Sequence, residues 1–554
     1  MNYKIYSLSF LLLCCNPVTN IQAQETEDID EFNSFFDDSG NFDVDTSALR
    51  SCEIGEASTW VGYLDLLNVP QLFDEDFYRA THIPNYRNII NYPNFFLFSY
   101  QAPENQQITF HLFFNQSFKK NFTADASEQV SKNKTMFEDG RRLGSYLNIE
   151  NGTFSSVIEN DINLLSGTSQ LPPALAPLKN INFPAVFNLL ANAKLEERKA
   201  GFLAHYYKEI SDKAAFEIKI PLLYEIRNLN YTEQEKKELN NAFSDFQGGD
   251  FDEVEFGKQH LVMDAFGTGT LDLGLRYKVW ETDTTNLYVG ASIYVPTDYR
   301  WTTGLYGTYF EPKDQQPVLR LCDLVEISAM PPKAEPDAKK TLEEYFLAAL
   351  DHMSSAVLQC PMGYNNHLGF GLKVLPYWHI REDLKFNSVY LFEYLFAHEH
   401  PRFFIPQQSD VLFSTEFQNT GTDAAKLDLI ERKLTERLFP RVFIATVVPG
   451  FIFNTVSNLQ WTKNDWNFTI GYNGWYKSTE KLRNIKAPDS VIETLNLCKA
   501  TADSASQLKL YGKIHKDITT KNHTISFSFY GNVTVWNNNL ANDITLGLSF
   551  DKAF

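Results

Sequence analysis

The 554-residue chain is 44% hydrophobic and 21% charged, so it can bury a large apolar surface. Its formal net charge of −20 at pH 7 argues against nucleic acid as a partner. Length alone suggests several soluble domains, but a large β-barrel of this size runs as one unit.

The N-terminus, residues 1–23, reads as a secretory signal peptide. Lys4 supplies the positive n-region, Ile5 to Cys15 the apolar h-region, and Ile21-Gln22-Ala23 a cleavage site before Gln24. Bulky Leu13 before Cys14 argues against lipoprotein processing. Residues 24–56 form an acidic extension: Glu25 to Asp45 carries no Lys or Arg, the composition of a flexible tether. Removal of the signal leaves Cys52, Cys322, Cys360 and Cys498, which permit two disulfides in three connectivities or four separate buried thiols. Their spacing is not that of a zinc site, and no cofactor is expected.

Strands dominate the remainder of the chain. Leu271, Leu273, Leu275, Tyr277 and Val279 alternate with Asp272, Gly274, Arg276 and Lys278; across a polar turn, Leu287, Val289, Ala291, Ile293 and Val295 alternate with Tyr288, Gly290, Ser292 and Tyr294. A period of two with one apolar and one polar face marks a strand, and about ten such residues suit a transmembrane barrel. The same reading places fourteen strands at 57–66, 94–100, 107–116, 199–210, 214–228, 267–281, 286–297, 366–377, 384–397, 440–457, 464–477, 505–516, 521–535 and 541–554. Residues 57–554 are thus expected to form an all-β, up-and-down antiparallel barrel. Short connections at 101–106, 211–213, 282–285, 378–383, 458–463 and 517–520 alternate with long ones, which include 117–198, 229–266, 298–365, 398–439 and 478–504. Short periplasmic turns and long extracellular loops are the habit of this architecture. Helical patterns fall in the long loops, at Thr232 to Phe246, Pro336 to Leu358 and Thr422 to Leu438, and one of these loops is a candidate to fold into the pore. Pro221 and Pro449 fall inside expected strands and call for bulges; Val389 and Leu391 stand on a face that should be polar.

Trp280, Trp378, Trp461 and Trp466 border the short turns, while Trp475 and Trp536 border the long loops, the depths of an aromatic girdle. By strict alternation Trp466 points to lipid, but Trp280, Trp475 and Trp536 point inward. The inward set also holds Lys219, Arg276, Lys278, Lys373, Lys385, Lys509, Lys513 and His515, opposed by Glu217, Glu225, Asp272, Glu393 and Asp551. These residues either set a preference for anionic or mixed polar solutes or pair into a structural ladder. Lys509, Lys513 and His515 have the least obvious partners and are the selectivity candidates. His398-Glu399-His400 lacks the spacing of a metalloprotease helix and reads as an ordinary loop pair. Neither a Gly-x-Ser-x-Gly elbow nor a phosphate loop occurs, so no enzyme is expected, although a barrel hydrolase assembled across strands would escape sequence spacing.

The terminal strand, with Leu546, Leu548, Phe550 and the final Phe554, resembles the C-terminal segment by which outer-membrane barrels are recognised for insertion; Lys552 departs from that pattern. The hairpin Gly267 to Lys278 and Asn286 to Thr297 resembles Gram-negative outer-membrane transporters, in the style of the phenol meta-pathway and long-chain fatty-acid transporter group. That resemblance implies an outer-membrane barrel of about fourteen strands passing small solutes, with membrane lipid and the barrel-insertion machinery as partners. It transfers no hatch or ligand-binding residue. An adhesive surface barrel and a soluble secreted all-β protein are the alternatives.

Overall fold

The computed structural model describes residues 106–117, 194–231, 261–303 without 298, 358–404 without 359 and 361, and 441–553 without 503, 520–523, 539 and 541, together with 234, 235, 237 and 238. The strands up to the middle of the chain are β1 (Gln106–Ser117), β2 (Lys194–Glu209), β3 (Ala214–Asn230), β4 (Val262–Thr268), β5 (Leu271–Glu281), β6 (Thr285–Val295), β7 (Arg300–Thr303), β8 (Gly369–Arg381) and β9 (Leu384–Leu395). They are followed by β10 (His398–Phe404), β11 (Arg441–Val448), β12 (Phe451–Lys463), β13 (Trp466–Lys477), β14 (Lys481–Arg483), β15 (Ala505–Thr519), β16 (Thr524–Asn538) and β17 (Asp543–Ala553). Two one-turn helices, α1 (Asp489–Ile492) and α2 (Leu497–Ala500), precede β15.

Twelve strands close a ring in the order β1-β2-β3-β5-β6-β8-β9-β12-β13-β15-β16-β17, every neighbour antiparallel. The closing pair runs from Gln107↔Ala553 to Ser117↔Asp543. The expected count of fourteen is therefore corrected to twelve for the ring: once β17 pairs with β1, no open edge remains for a further strand. The expected strands 57–66 and 94–100, the signal peptide and the acidic extension lie outside the described residues. So does the expected helix 422–438; of 336–358 only Leu358 is described, and of 232–246 residues 234, 235, 237 and 238 are, all of them helical.

Alternation decides the two faces. On β1, Gln107, Thr109, His111 and Asn115 are buried, while Phe110, Leu112 and Phe114 are 37–55% exposed. On β17, Thr545, Ser549 and Asp551 are buried, whereas Leu546 and Leu548 are exposed. The same inversion recurs at Leu275, Leu372, Phe392, Ile470, Leu510 and Phe529, all exposed. A water-soluble sandwich does the reverse, and an apolar belt around a whole ring far exceeds the patches tolerated in water. Polar inside and apolar outside is the pattern of a barrel solvated by lipid. That excludes the soluble all-β alternative. Among the described residues no helix is long and apolar enough to span a membrane.

The irregularities have local causes. Leu222 pairs with Thr268 and Lys219 with Asp272, so three residues, Gly269 to Leu271, oppose two, Ile220 and Pro221. β4 and β5 are thus one strand interrupted by a bulge. Pro221 turns its ring nitrogen towards that bulge, where no ladder bond is lost, and its carbonyl accepts from Gly269 N at 3.1 Å. Pro449 lies in a break, not in a strand: Gly450, at φ +80°, separates β11 from β12. The single strand expected at 440–457 is corrected accordingly. Its first half, β11, leaves the ring and joins β10 and β14 in a small three-stranded sheet. Phe404, Ala445, Val491, Leu495 and Ala500 form the core of that sheet with α1 and α2.

The strand ends that face each other across the short gaps β2–β3, β5–β6, β8–β9, β12–β13 and β15–β16 all lie at one rim, together with the first residues of β1 and the last of β17. The other strand ends lie at the opposite rim. Ile470 sits mid-strand on the outer face and is 69% exposed. Ile470→Arg is expected to destabilise the barrel in lipid vesicles by roughly 2–4 kcal/mol. On a water-facing surface the change would stay within about 0.5 kcal/mol. Urea unfolding in vesicles distinguishes the two.

Candidate functional site in the barrel interior

The inward face is crowded with charge, and the charges are arranged in pairs. Glu217 and Lys219 of β3 meet Asp272 of β5 and Lys373 of β8. Lys219 Nζ stands 3.0 Å from Asp272, and Lys373 Nζ stands 2.5 Å from Glu217 and 3.6 Å from Asp272. His205 Nε2 approaches Glu217 at 3.5 Å. All five side chains are buried. Two carboxylates against two ammonium groups cancel, which is the condition under which charge tolerates removal from water.

Two further networks occupy the half nearer the long connections. Arg227 lies 2.8 Å from Glu197 and 3.0 Å from Glu225, and Lys199 lies 2.8 Å from Glu197. Apart from Glu225, this group escaped the sequence reading. Its only signal is a Glu-x-Lys on β2 facing a Glu-x-Arg on β3. Two strands further round the ring from β2, Asp543 of β17 accepts from Lys509 Nζ at 2.6 Å, Asn115 Nδ2 at 2.6 Å and Thr534 Oγ1 at 2.5 Å.

Lys509, Lys513 and His515, whose partners are the least obvious in the sequence, are on the inward face and buried. Lys509 is held by Asp543, His515 lies 2.8 Å from both Asp517 and Ser528, and Lys513 stands in the field of Asp551 and Asp517. Asp543, Asp551 and Ser528 sit on other strands, where sequence spacing does not reach, whereas Asp517 lies on β15 itself, two residues from His515. Nearer the short-turn rim, Arg276 stacks 4.6 Å over the Tyr207 ring, Lys278 pairs with Glu281 at 3.1 Å, and Lys385 is half-buried. Glu393 accepts from Tyr364 Oη at 2.7 Å.

Tyr364 belongs to a segment that enters the barrel from the long connection ahead of β8. Leu358, Cys360, Met362 and Tyr364 are all buried. Cys360 is a free thiol, so it takes no part in a disulfide. Its Sγ lies 3.6 Å from the carbonyls of Glu225 and Met263. Tyr364 N donates to Thr270 Oγ1 at 2.8 Å, and its ring meets Tyr294 edge-on at 5.3 Å. Cys360 and Met362 share one apolar cluster with inward-facing Phe113, Leu375, Val389, Val456, Tyr511 and Tyr530. Val389, out of place on a polar face, pairs with Val456 of β12 within this cluster. Gly363, Asn365 and Asn366 adopt φ of 61°, 54° and 65°, a left-handed turn that Gly and Asn accept and that returns the chain to the wall.

The tryptophans show what alternation misses. A bulge between Lys278 and Trp280 pairs Trp280 with outward Leu287, so Trp280 is 61% exposed instead of inward. A second bulge pairs Trp536 with outward Leu508 and exposes it likewise. Both inward assignments are corrected, because one extra residue exchanges the faces. Trp378, Trp461 and Trp466 are exposed on the outer face, and Trp475 is buried inside.

Glu217→Leu leaves Lys219 and Lys373 against one carboxylate. It is expected to cost about 3–5 kcal/mol, most of it recovered in the double variant with Lys373→Leu. Urea unfolding of the four proteins in a double-mutant cycle measures it.

No family model and no curated protein matches the sequence. Among solved structures, an outer-membrane channel from Pseudomonas putida F1 aligns over 82% of this chain and 96% of its own, at 10% identity and a TM-score of 0.35. The translocator domain of the autotransporter NalP from Neisseria meningitidis aligns over 84% and 94%, at 4% identity and 0.30. The Ralstonia pickettii toluene transporter TbuX aligns over 65% and 68%, at 12% identity and 0.25. At such TM-scores the fold assignment rests on ring closure and on the inverted faces. By those criteria the chain is a transmembrane β-barrel of the outer-membrane type.

Proposed function

We propose that the chain is an outer-membrane channel that passes small solutes through its lumen, with the segment 358–364 as the constriction. The carrying observation is the polar inward face, which runs from rim to rim of a closed ring and is interrupted by that segment. Water and polar solutes need such a face. Because inward cations and carboxylates alternate, charge selectivity is expected to be weak. Hydrogen bonding to solutes in transit would come from side chains such as Asn454, Asn473 and Gln507 on the same face.

One observation favours a second reading, a surface barrel whose long loops bind another cell: the ion pairs and the inserted segment leave the interior tightly occupied. Conductance separates the two. In planar bilayers the unaltered chain is expected to give small single-channel steps, and the double variant Met362→Gly/Tyr364→Ala steps at least twofold larger. Silence from both would sink the channel reading and leave binding by the loops.

Membrane lipid and the insertion machinery are the partners this reading needs. Leu546 and Leu548 are exposed on the outer face of β17, and Phe550 packs edge-on against Phe527 at 5.3 Å. Phe554, an insertion-signal candidate, lies outside the described residues. Deleting it is expected to lower the heat-modifiable, membrane-inserted fraction several-fold in cells while leaving refolding into detergent intact.

A further inference from the structure

At the long-connection rim three histidines from two segments come together. His398 and His400 alternate on β10, so both leave the same face of that strand. His367, two residues before β8, meets them there. Ring centroids are 4.6 Å apart for His367 and His400, 4.8 Å for His398 and His400, and 6.1 Å for His367 and His398. His367 and His400 are buried, and His398 faces solvent.

Hydrogen bonding assigns the protons. His367 Nδ1 lies 2.8 Å from the carbonyl oxygen of Phe396, which can only accept, so Nδ1 carries the proton and Nε2 keeps its lone pair. That Nε2 faces His400 Nε2 at 3.1 Å, so His400 donates. An imidazole whose far nitrogen donates to a backbone carbonyl is oriented as metal-ligating histidines are. Two imidazole nitrogens bound to one zinc ion at about 2.0–2.1 Å stand about 3.3 Å apart at the tetrahedral angle. The observed pair is within a few tenths of an ångström of that spacing, with a single proton where an ion would sit.

We propose that His367 and His400 are two ligands of a transition-metal site for Zn²⁺ or Cu²⁺, with His398 as the third and solvent water completing the shell. Among the described residues no three His, Cys, Asp or Glu side chains already enclose an ion, so the third ligand must arrive by rotation of the exposed His398 side chain. On binding, His400 moves its proton from Nε2 to Nδ1; both rings stay neutral, and the two new bonds are N–metal bonds. Arg402 lies close enough to oppose a dication, and its pairing with Glu480 at 3.1 Å offsets that charge.

The site stands apart from the lumen and does not depend on conduction. The test is calorimetric titration of the full, tag-free chain in detergent with ZnCl₂, with Cu²⁺ electron paramagnetic resonance reporting nitrogen coordination. One ion per chain is expected, weakened at least tenfold by each of His398→Ala and His400→Gln. His398 is exposed, so its variant folds, and the heat-modifiable band checks both. Absence of saturable binding, or binding that either variant keeps within tenfold, overturns the proposal.

Discussion

In hydrocarbon a peptide N–H or C=O without a partner costs several kcal/mol, and no water is there to supply one. The pairing of β1 with β17, residues more than four hundred positions apart, meets that constraint for the whole ring. Once it forms, every strand has two neighbours, side chains alternate between lipid and lumen, and the turns sort to one rim and the long connections to the other. Pro221 shows how strict the condition is. It survives in the wall because a bulge places its missing donor where no ladder bond is lost.

The interior follows from the same inversion. With the apolar side chains committed to lipid, the lumen receives the polar ones, and charge held out of bulk water must be matched nearby. Lys219, Lys373, Glu217 and Asp272 solve this with two charges of each sign from three strands. Asp543 solves it by collecting a lysine, an asparagine and a threonine. Where apolar residues do point inward, as at Val389 and Val456, they belong to one buried cluster that also takes in Cys360 and Met362 of the inserted segment. That segment and the ion pairs occupy the interior of the ring.

Outside the ring, β10, β11 and β14 with two one-turn helices make a small second core on the long-connection rim. The chain leaves the wall between β9 and β10 and re-enters it at Pro449-Gly450, where β11 gives way to β12. The histidine cluster sits where β10 of this appendage meets the approach to β8. His398 and His400 looked like an ordinary loop pair because their third neighbour, His367, lies 33 residues from His400.

Period-two alternation, connection length and the polar or apolar nature of each face are local properties, and they were legible in residues such as Leu271 to Val279 and Ile544 to Phe550. They determined an all-β barrel with short turns at one rim, and they located eleven of the twelve ring strands to within about five residues, whereas β12 was fused with β11 and its last residues, 458–463, were read as a turn. Tertiary structure alone decided that the ring closes at twelve, that Lys373 meets Glu217 across 156 residues, and that Lys509 is held by Asp543. It also decided that Trp280 and Trp536 face outward, because a bulge is a two-against-one count between partner strands. Alternation is written along one strand, whereas register, bulges and charge partners arise between strands and exist only once the ring has closed.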